Sequence, residues 1–179
     1  MKYFLCLGSN LGNRGENISL ALVLLKKEAI KIIKISSLYE TQPVDYLAQP
    51  WFYNQLAEIE TELSPLRLLA IIKKIERKMG RKRALPKRPR LIDIDIILAE
   101  ETIIRTEELV IPHPLMERRS FVLLPLVEIS PGTVHPVLHE NMKVLWQKSN
   151  DRSIVRKVKE KKNAVKHQRR ESVLKDNLL

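Results

Sequence analysis

The sequence predicts an α+β fold built on a ferredoxin-like β-α-β-β-α-β core, an antiparallel sheet with helices packed on it. Three observations carry that expectation. Apolar residues switch between strand-type and helix-type spacing in that order over the first hundred residues. The two helical stretches carry their own start and stop signals. The second and third strands are separated by a long loop with Pro43 and Pro50, where a tight hairpin turn would need only two to five residues.

Taken in order, YFLCLG (3–8) reads as a short buried strand, and from Asn13 or Arg14 the run ENISLALVLLKKE has apolar residues at helical spacing, ending near Lys26 and Lys27. IKIIKISSLYET (30–41) alternates like a strand with one buried face, and FYNQLAEIETEL (52–63) does the same. Ser64 then stands where an N-cap is expected and Pro65 at the first helical position, opening a helix that closes on Gly80. After a basic loop comes LIDIDIIL (91–98), a third alternating strand. A short strand at TIIR and a helix around MERRSFVLLPLVEI complete the order.

Composition narrows the class. The 179 residues suit one catalytic domain over 1–150, with 151–179 as a basic C-terminal extension expected to be helical or disordered. The lone Cys6 sits in an apolar run and reads as a small core hydrophobe. The N-terminal apolar run is too short for a secretory signal, and no apolar stretch is long enough to span a membrane, so a soluble cytoplasmic protein is expected. The net charge of +11 points to an anionic partner. It is concentrated in two places: GRKRALPKRPR (80–90), with six Lys or Arg and no acid, and the tail, with ten Lys or Arg against four acids.

Directly after the first of these lie Asp93 and Asp95. Side chains alternate across a strand, so the two share a face with Leu91 and Ile97, while Ile92, Ile94, Ile96 and Leu98 share the other. The carboxylates then stand roughly 6 to 7 Å apart at their Cα atoms. On a half-buried face they repel one another unless a cation intervenes, and Mg²⁺ prefers carboxylate and phosphate oxygens. Asp-x-Asp beside an Arg/Lys loop suits phosphoryl transfer. The plainer alternative is that both face solvent or pair with Arg83 and Arg90. LGSNLGNRG has neither dinucleotide-binding nor P-loop spacing, and reads as a tight strand-to-helix turn whose Asn and Ser side chains satisfy backbone groups.

LGSNLGNR, SSLYET-x-P with PWFYNQ, PR-x-x-DIDII, and IPHP with MERRSFVLLPL together resemble the 6-hydroxymethyl-7,8-dihydropterin pyrophosphokinase family over residues 1 to 147. The resemblance implies transfer of the β,γ-pyrophosphoryl group of ATP to a pterin hydroxymethyl oxygen, with ATP as co-substrate and two Mg²⁺ ions, in a monomer that binds neither nucleic acid nor membrane. It assigns the metal ions to Asp93 and Asp95, the mobile-loop arginines to Arg81 and Arg83, and a phosphate grip to Arg90. His113 and Arg119 match phosphate-binding positions, and Glu76 a position near the nucleotide. Thr41, Pro43, Val44, Phe52, Asn54 and Phe121 match the pterin pocket, where two aromatic faces and an amide suit a flat ring rich in donors and acceptors. Without the resemblance, Phe52 and Phe121 read as core, Asn54 as an edge residue and His113 as a loop histidine, and a one-residue slip would exchange Arg119 for Arg118. The chain departs from the family where Lys87-Arg88-Pro89-Arg90 lacks a Trp and a Gly and is one residue shorter, so loop closure is expected to differ. Phe52 also replaces a common Tyr, and Pro114 follows His113.

Two other classes compete. A nucleotidyltransferase also pairs a Gly-Ser turn with an Asp-x-Asp strand, but close together in sequence, whereas more than eighty residues separate them here. A basic RNA-binding module shares the element order but shows aromatics on its central strands, where this chain has aspartates.

Overall fold

The computed structural model describes residues 1–44, 46–80, 88–100 and 102–159. Arg81, Arg83 and the tail beyond residue 159 lie outside them. Along the chain run β1 (Lys2–Ser9), α1 (Arg14–Lys27), β2 (Lys31–Ile35), β3 (Tyr39–Thr41), β4 (Phe52–Glu60), α2 (Pro65–Lys78), β5 (Asp93–Ala99), β6 (Ile104–Arg105), β7 (Val110–Ile111), α3 (Ser120–Ile129), α4 (Met142–Lys148) and β8 (Val155–Lys157). The result is α+β: an antiparallel sheet ordered β5-β1-β4-β3-β8, with β2 also paired to β4, and a separate two-stranded ribbon of β6 and β7.

The unbroken apolar run of β1 has a direct consequence. Tyr3, Leu5 and Leu7 pack with α1 and α2, while Phe4 and Cys6 pack with α3 and α4. A strand apolar at every position must be covered on both faces, so the sheet sits between two helical layers instead of carrying helices on one face alone. α1 is capped by Asn13, whose side chain accepts from Glu16 N, and it buries Ile18, Ala21, Leu24 and Leu25 at helical spacing. α2 opens at Ser64 and Pro65 as expected, but the Ser64 side chain makes no cap bond; its carbonyl accepts from Leu68 N instead. Gly80 closes the helix with φ +91°, a conformation that suits the residue without a Cβ.

Three differences from the sequence reading have physical causes. The expected strand 30–41 is two strands, because the Ser36 hydroxyl accepts from Leu56 N at 2.9 Å in place of a ladder carbonyl. The register against β4 slips by one residue between Ile32 and Lys34 and again before Tyr39. In β5 the alternation breaks at Ile97: Leu5 pairs Ile96 and Phe4 pairs Leu98, so Ile97 is bulged. Leu98 therefore joins Ile97 in the α3/α4 core instead of sharing a face with Ile92, Ile94 and Ile96. Third, the extension expected to be helical or disordered from residue 151 begins with β8, which adds to the sheet edge beside β3.

Candidate active site

On the α3/α4 side of the sheet, cross-strand pairing lays out two rows. Asp93 pairs with Gly8, which pairs with Asn54; Asp95 pairs with Cys6, which pairs with Leu56. Helix α3 covers this face only from Ser120 onward, so the sheet beyond its first turn is open. A cavity of about 260 Å³ fills the gap. Its floor is Cys6, Gly8, Asn54, Asp93 and Asp95; one wall is Thr41, Gln42, Pro43 and Val44; Phe52, Gln49 and Arg90 form another, and Arg119 and Phe121 close it from the start of α3. Ten of the residues expected from sequence thus meet in one place, although they come from four separate segments.

The electrostatics of the floor follow from burial. Asp95 is pushed up to about 7, first by burial and then by the charge of Asp93 and, more weakly, of Glu76, against the opposing pull of Arg90 and Arg119. Cys6 lies between the same forces: burial and then both carboxylates push its thiol up, so it remains protonated and unreactive. Asp93 is paired with Arg90, Nη2 to Oδ2 at 2.5 Å. The alternative in which an aspartate pairs with Arg90 is therefore realised within the same cavity. The walls are oriented by specific contacts. Asn54 Nδ2 donates to Thr41 Oγ1 at 2.6 Å, which leaves its Oδ1 above Gly8. A Cβ at Gly8 would stand 2.7 Å from that oxygen. The Arg90 guanidinium lies 5.2 Å from the Phe52 ring centroid, and that of Arg119 lies 5.7 Å from Phe121.

Two expected residues stand outside the cavity. Glu76, buried on α2, accepts from Ile94 N at 2.9 Å, and His113 N donates to Ile97 O at 2.8 Å. Both occupy the edge of β5 that faces away from β1. They satisfy backbone groups of the strand that carries Asp93 and Asp95. Burial and the nearby Arg119 charge lower the pKa of His113, and its Nδ1 is buried with no hydrogen-bond partner among the described residues. Arg118 does not reach the carboxylate cavity; its largely exposed side chain pairs with Glu117 at 3.4 Å.

Sequence reasoning missed what the glycine-rich turn does at long range. Asn10 is buried, and its Oδ1 accepts from Arg90 N at 2.7 Å while its Nδ2 donates to Gln49 Oε1 and Pro50 O. Arg14 donates to Trp51 O at 2.7 Å and pairs with Glu40 at 3.0 Å. The turn thus clamps both the 49–51 loop and the approach to β5. That Asn and Ser would satisfy backbone groups was legible; that the groups lie forty and eighty residues away was not. Gly8, Cys6, Gln42 and Gln49 are also lining residues that carried no separate sequence signal.

Residues 4–131 match the family model described as 7,8-dihydro-6-hydroxymethylpterin-pyrophosphokinase. The chain is 44% identical over 127 residues to the 2-amino-4-hydroxy-6-hydroxymethyldihydropteridine pyrophosphokinase of Bacillus subtilis, covering 70% of this chain and 76% of that protein. It is 45% identical over 138 residues to the folic acid synthesis protein fol1 of Schizosaccharomyces pombe, covering 76% of this chain but 19% of the relative. The chain spans about a fifth of the length of that relative and of its counterparts in Pneumocystis carinii and Dictyostelium discoideum. Among solved structures, wild-type HPPK-DHPS of Plasmodium falciparum with pteroate superposes with a TM-score of 0.67 at 20% identity, over 82% of this chain and 42% of that one, a likeness of fold. With a matching model over most of its length and a bacterial relative covered by three quarters, the chain belongs to the 7,8-dihydro-6-hydroxymethylpterin-pyrophosphokinase family.

Proposed function

We propose that this chain transfers the β,γ-pyrophosphoryl group of ATP to the hydroxymethyl oxygen of 6-hydroxymethyl-7,8-dihydropterin, giving AMP and the pterin pyrophosphate in folate biosynthesis. One observation carries the reading: a single cavity joins a polar, aromatic-walled half to a carboxylate and guanidinium half. Phe52 and Phe121 hold the flat pterin between them, and Asn54, held by Thr41, offers it an acceptor oxygen and its remaining N–H. Pro43 and Val44 close the ring's edge.

The carboxylate pair fits a divalent cation. Asp95 is held near 7 by burial and Asp93, a strain that a cation between them relieves. Among the described residues no cluster of three or more His, Cys, Asp or Glu forms a closed metal cage. That suits Mg²⁺, which typically takes one or two carboxylates and completes its shell from water and substrate phosphates. Two Mg²⁺ ions held by Asp93 and Asp95 would supply neutralisation of the phosphate charge. Arg90 and Arg119 face the same opening and stabilise the charge spread over the phosphoryl oxygens, joined by Arg81, Arg83 and the His113 imidazole, while Glu76, an acceptor, serves the nucleotide side only by anchoring the Ile94 N–H of β5. Catalysis is then mainly positioning, with the hydroxymethyl oxygen in line with the phosphoryl group.

The remaining readings follow. The core is a ferredoxin-like β-α-β-β-α-β unit whose second strand is split into β2 and β3, and the catalytic domain continues past residue 150 to include β8. No helix among the described residues is long and apolar enough to cross a membrane. A reduced, buried Cys6 is in keeping with a cytoplasmic location. Neither competing class is favoured: the sheet face that an RNA-binding platform would expose is covered by α3 and α4, and its opening carries two carboxylates.

The test is a product assay with ATP, Mg²⁺ and the pterin, separating AMP from ADP. Pterin-dependent AMP is expected; ADP as the nucleotide product, or AMP formed without the pterin, would overturn the reading.

A further inference from the structure

Residues 151–157 lie beyond the segment matched by the family model, yet they hold two walls of the cavity together. The first wall is the opening turn of α3. A helix start leaves N–H groups without intrahelical partners, and the residue at the N-cap position, Arg119, makes no side-chain cap. The Ser120 N–H is taken instead by Asp151 Oδ2 at 2.7 Å, and the Ser120 hydroxyl reaches Asp151 O at 3.4 Å. Asp151 is itself fixed: Ser153 N donates to Oδ1 and Ser153 Oγ to Oδ2, each at 2.8 Å. Burial alone would raise its pKa, but these donors and Ser120 outweigh it and hold the carboxyl below the usual range.

The second wall is β3 and the residues after it. Val155 pairs with Thr41, and Gln42 N donates to Ile154 O at 3.0 Å. The far end of the strap is tied by Lys157 to Glu128 at 2.9 Å, on the last turn of α3. Between strap and helix start lies an adjoining cavity of about 400 Å³ that shares Gln42, Pro43, Val44 and Arg119 with the first and is also lined by Leu115, Arg118 and Arg152. Packing therefore does not fill the space on the strap side of the first turn of α3, and there the hydrogen bond donated by the Ser120 N–H to Asp151 holds the turn.

We propose that Asp151 is a positioning residue for pterin binding: by capping α3 from outside the helix, it fixes Arg119 and Phe121 opposite Thr41 and Asn54. It touches no substrate. Its effect passes through the two residues at the helix start, and a displacement of about 1 Å there is enough to weaken binding and transfer. The inference rests on the pyrophosphokinase reading of the cavity.

The test compares full-length wild type, Asp151→Ala, Asp151→Asn and Lys157→Ala by steady-state kinetics, equilibrium binding of 6-hydroxymethyl-7,8-dihydropterin and thermal melting. Asp151→Ala is expected to lower kcat/KM for the pterin about tenfold or more, with a weaker pterin affinity through Phe121 and a raised KM for ATP through Arg119. Asp151→Asn, which keeps an acceptor for the Ser120 N–H, is expected to recover most of that loss. Lys157→Ala, which frees only the far end of the strap, should lower the melting temperature without a matching kinetic loss. An Asp151→Ala enzyme with pterin kcat/KM and affinity within about twofold of wild type overturns the proposal. So does a Lys157→Ala enzyme with the same kinetic defect, because the strap would then act by stability alone. Should Asp151→Ala fail to fold, amide exchange in the wild type decides: slow exchange at Ser120 is expected, and fast exchange overturns the cap. A wild type that binds the pterin but forms no AMP would remove the activity while leaving the binding and exchange comparisons readable.

Discussion

At Gly8 a missing side chain shapes the cavity. Its neighbour across the ladder, Asn54, is buried and tied to Thr41, so its Oδ1 has little room to yield to a Cβ only 2.7 Å away. Gly8→Ala should therefore raise KM for the pterin by about tenfold while leaving KM for ATP near its original value, since the displaced amide belongs to the pterin half. Steady-state kinetics with each substrate varied in turn checks this; an unchanged pterin KM would remove Asn54 from the pocket. Asp95 illustrates the opposite case, a residue whose presence strains the fold. Burial and the neighbouring Asp93 both resist its ionisation. Asp95→Asn should cut AMP formation by about a thousandfold or more. In metal-free buffer near pH 8 the same change should stabilise the protein by roughly 1–2 kcal/mol, the usual exchange of stability against function at a strained site. Denaturant melts and the product assay read the two effects separately.

Among the elements, α1 and β4 were legible almost to their ends because each carries one uncomplicated period and, in α1, a cap at Asn13. The failures cluster where a side chain competes with the main chain. Ser36 breaks the second strand, and a bulge at Ile97 turns Leu98 to the other face. The turn between β1 and α1 is a clamp: Asn10→Ala would take from the buried Asn10 position the acceptor of the Arg90 N–H and the donor to Pro50 O, both hydrogen bonds being partly buried. A loss of about 1–3 kcal/mol in unfolding free energy is expected, together with a raised KM for ATP as Arg90 loosens. Glu128 ties α3 to β3 and β8. Partial burial opposes its ionisation, but donors from Ser37, Lys157 and Tyr39 prevail and hold the carboxyl at about 2, against an ordinary 4.5. Its folded-state pKa is thus the lower one, so the stability it contributes is present above about pH 4.5 and is lost as pH falls toward 2. Melts of wild type and Glu128→Gln should differ at pH 6 and converge through that window; a constant gap would mean that the tie is not electrostatic.

For the whole molecule, the central strands β1, β4 and β5 are sandwiched between two helical layers, and the site lies where α3 leaves the end of one of their faces uncovered. The net charge of +11 favours ATP over the neutral pterin at long range. Raising ionic strength from about 0.05 to 0.5 M should raise KM for ATP several-fold and leave that for the pterin nearly unchanged, because screening acts on the charged partner. Equal effects on both would place the origin in the fold. Residues 151–159 belong to this architecture, through β8 and the Asp151 cap. Ending the chain after residue 159 should preserve AMP formation, whereas ending it after residue 150 should abolish pterin-dependent turnover, since that cut removes both β8 and the cap on Ser120.

By itself the sequence determined the element types, the strand-borne carboxylate pair, the basic loop and the family resemblance that names the pocket residues, because these are properties of spacing and residue chemistry along one segment. Tertiary structure decided what depends on neighbours far apart in the chain. It joined Asp93 to Gly8 and Asn54 across two ladders and set Glu76 and His113 on the outer edge of β5 instead of inside the cavity. It aimed Asn10 at residues forty and eighty positions away, and turned the first part of a basic tail into the Asp151 cap on α3 and the edge strand β8 that follows it. Hydrophobic period reports which face a residue occupies; which distant backbone group a buried polar side chain will satisfy is settled only when the chain has closed around it.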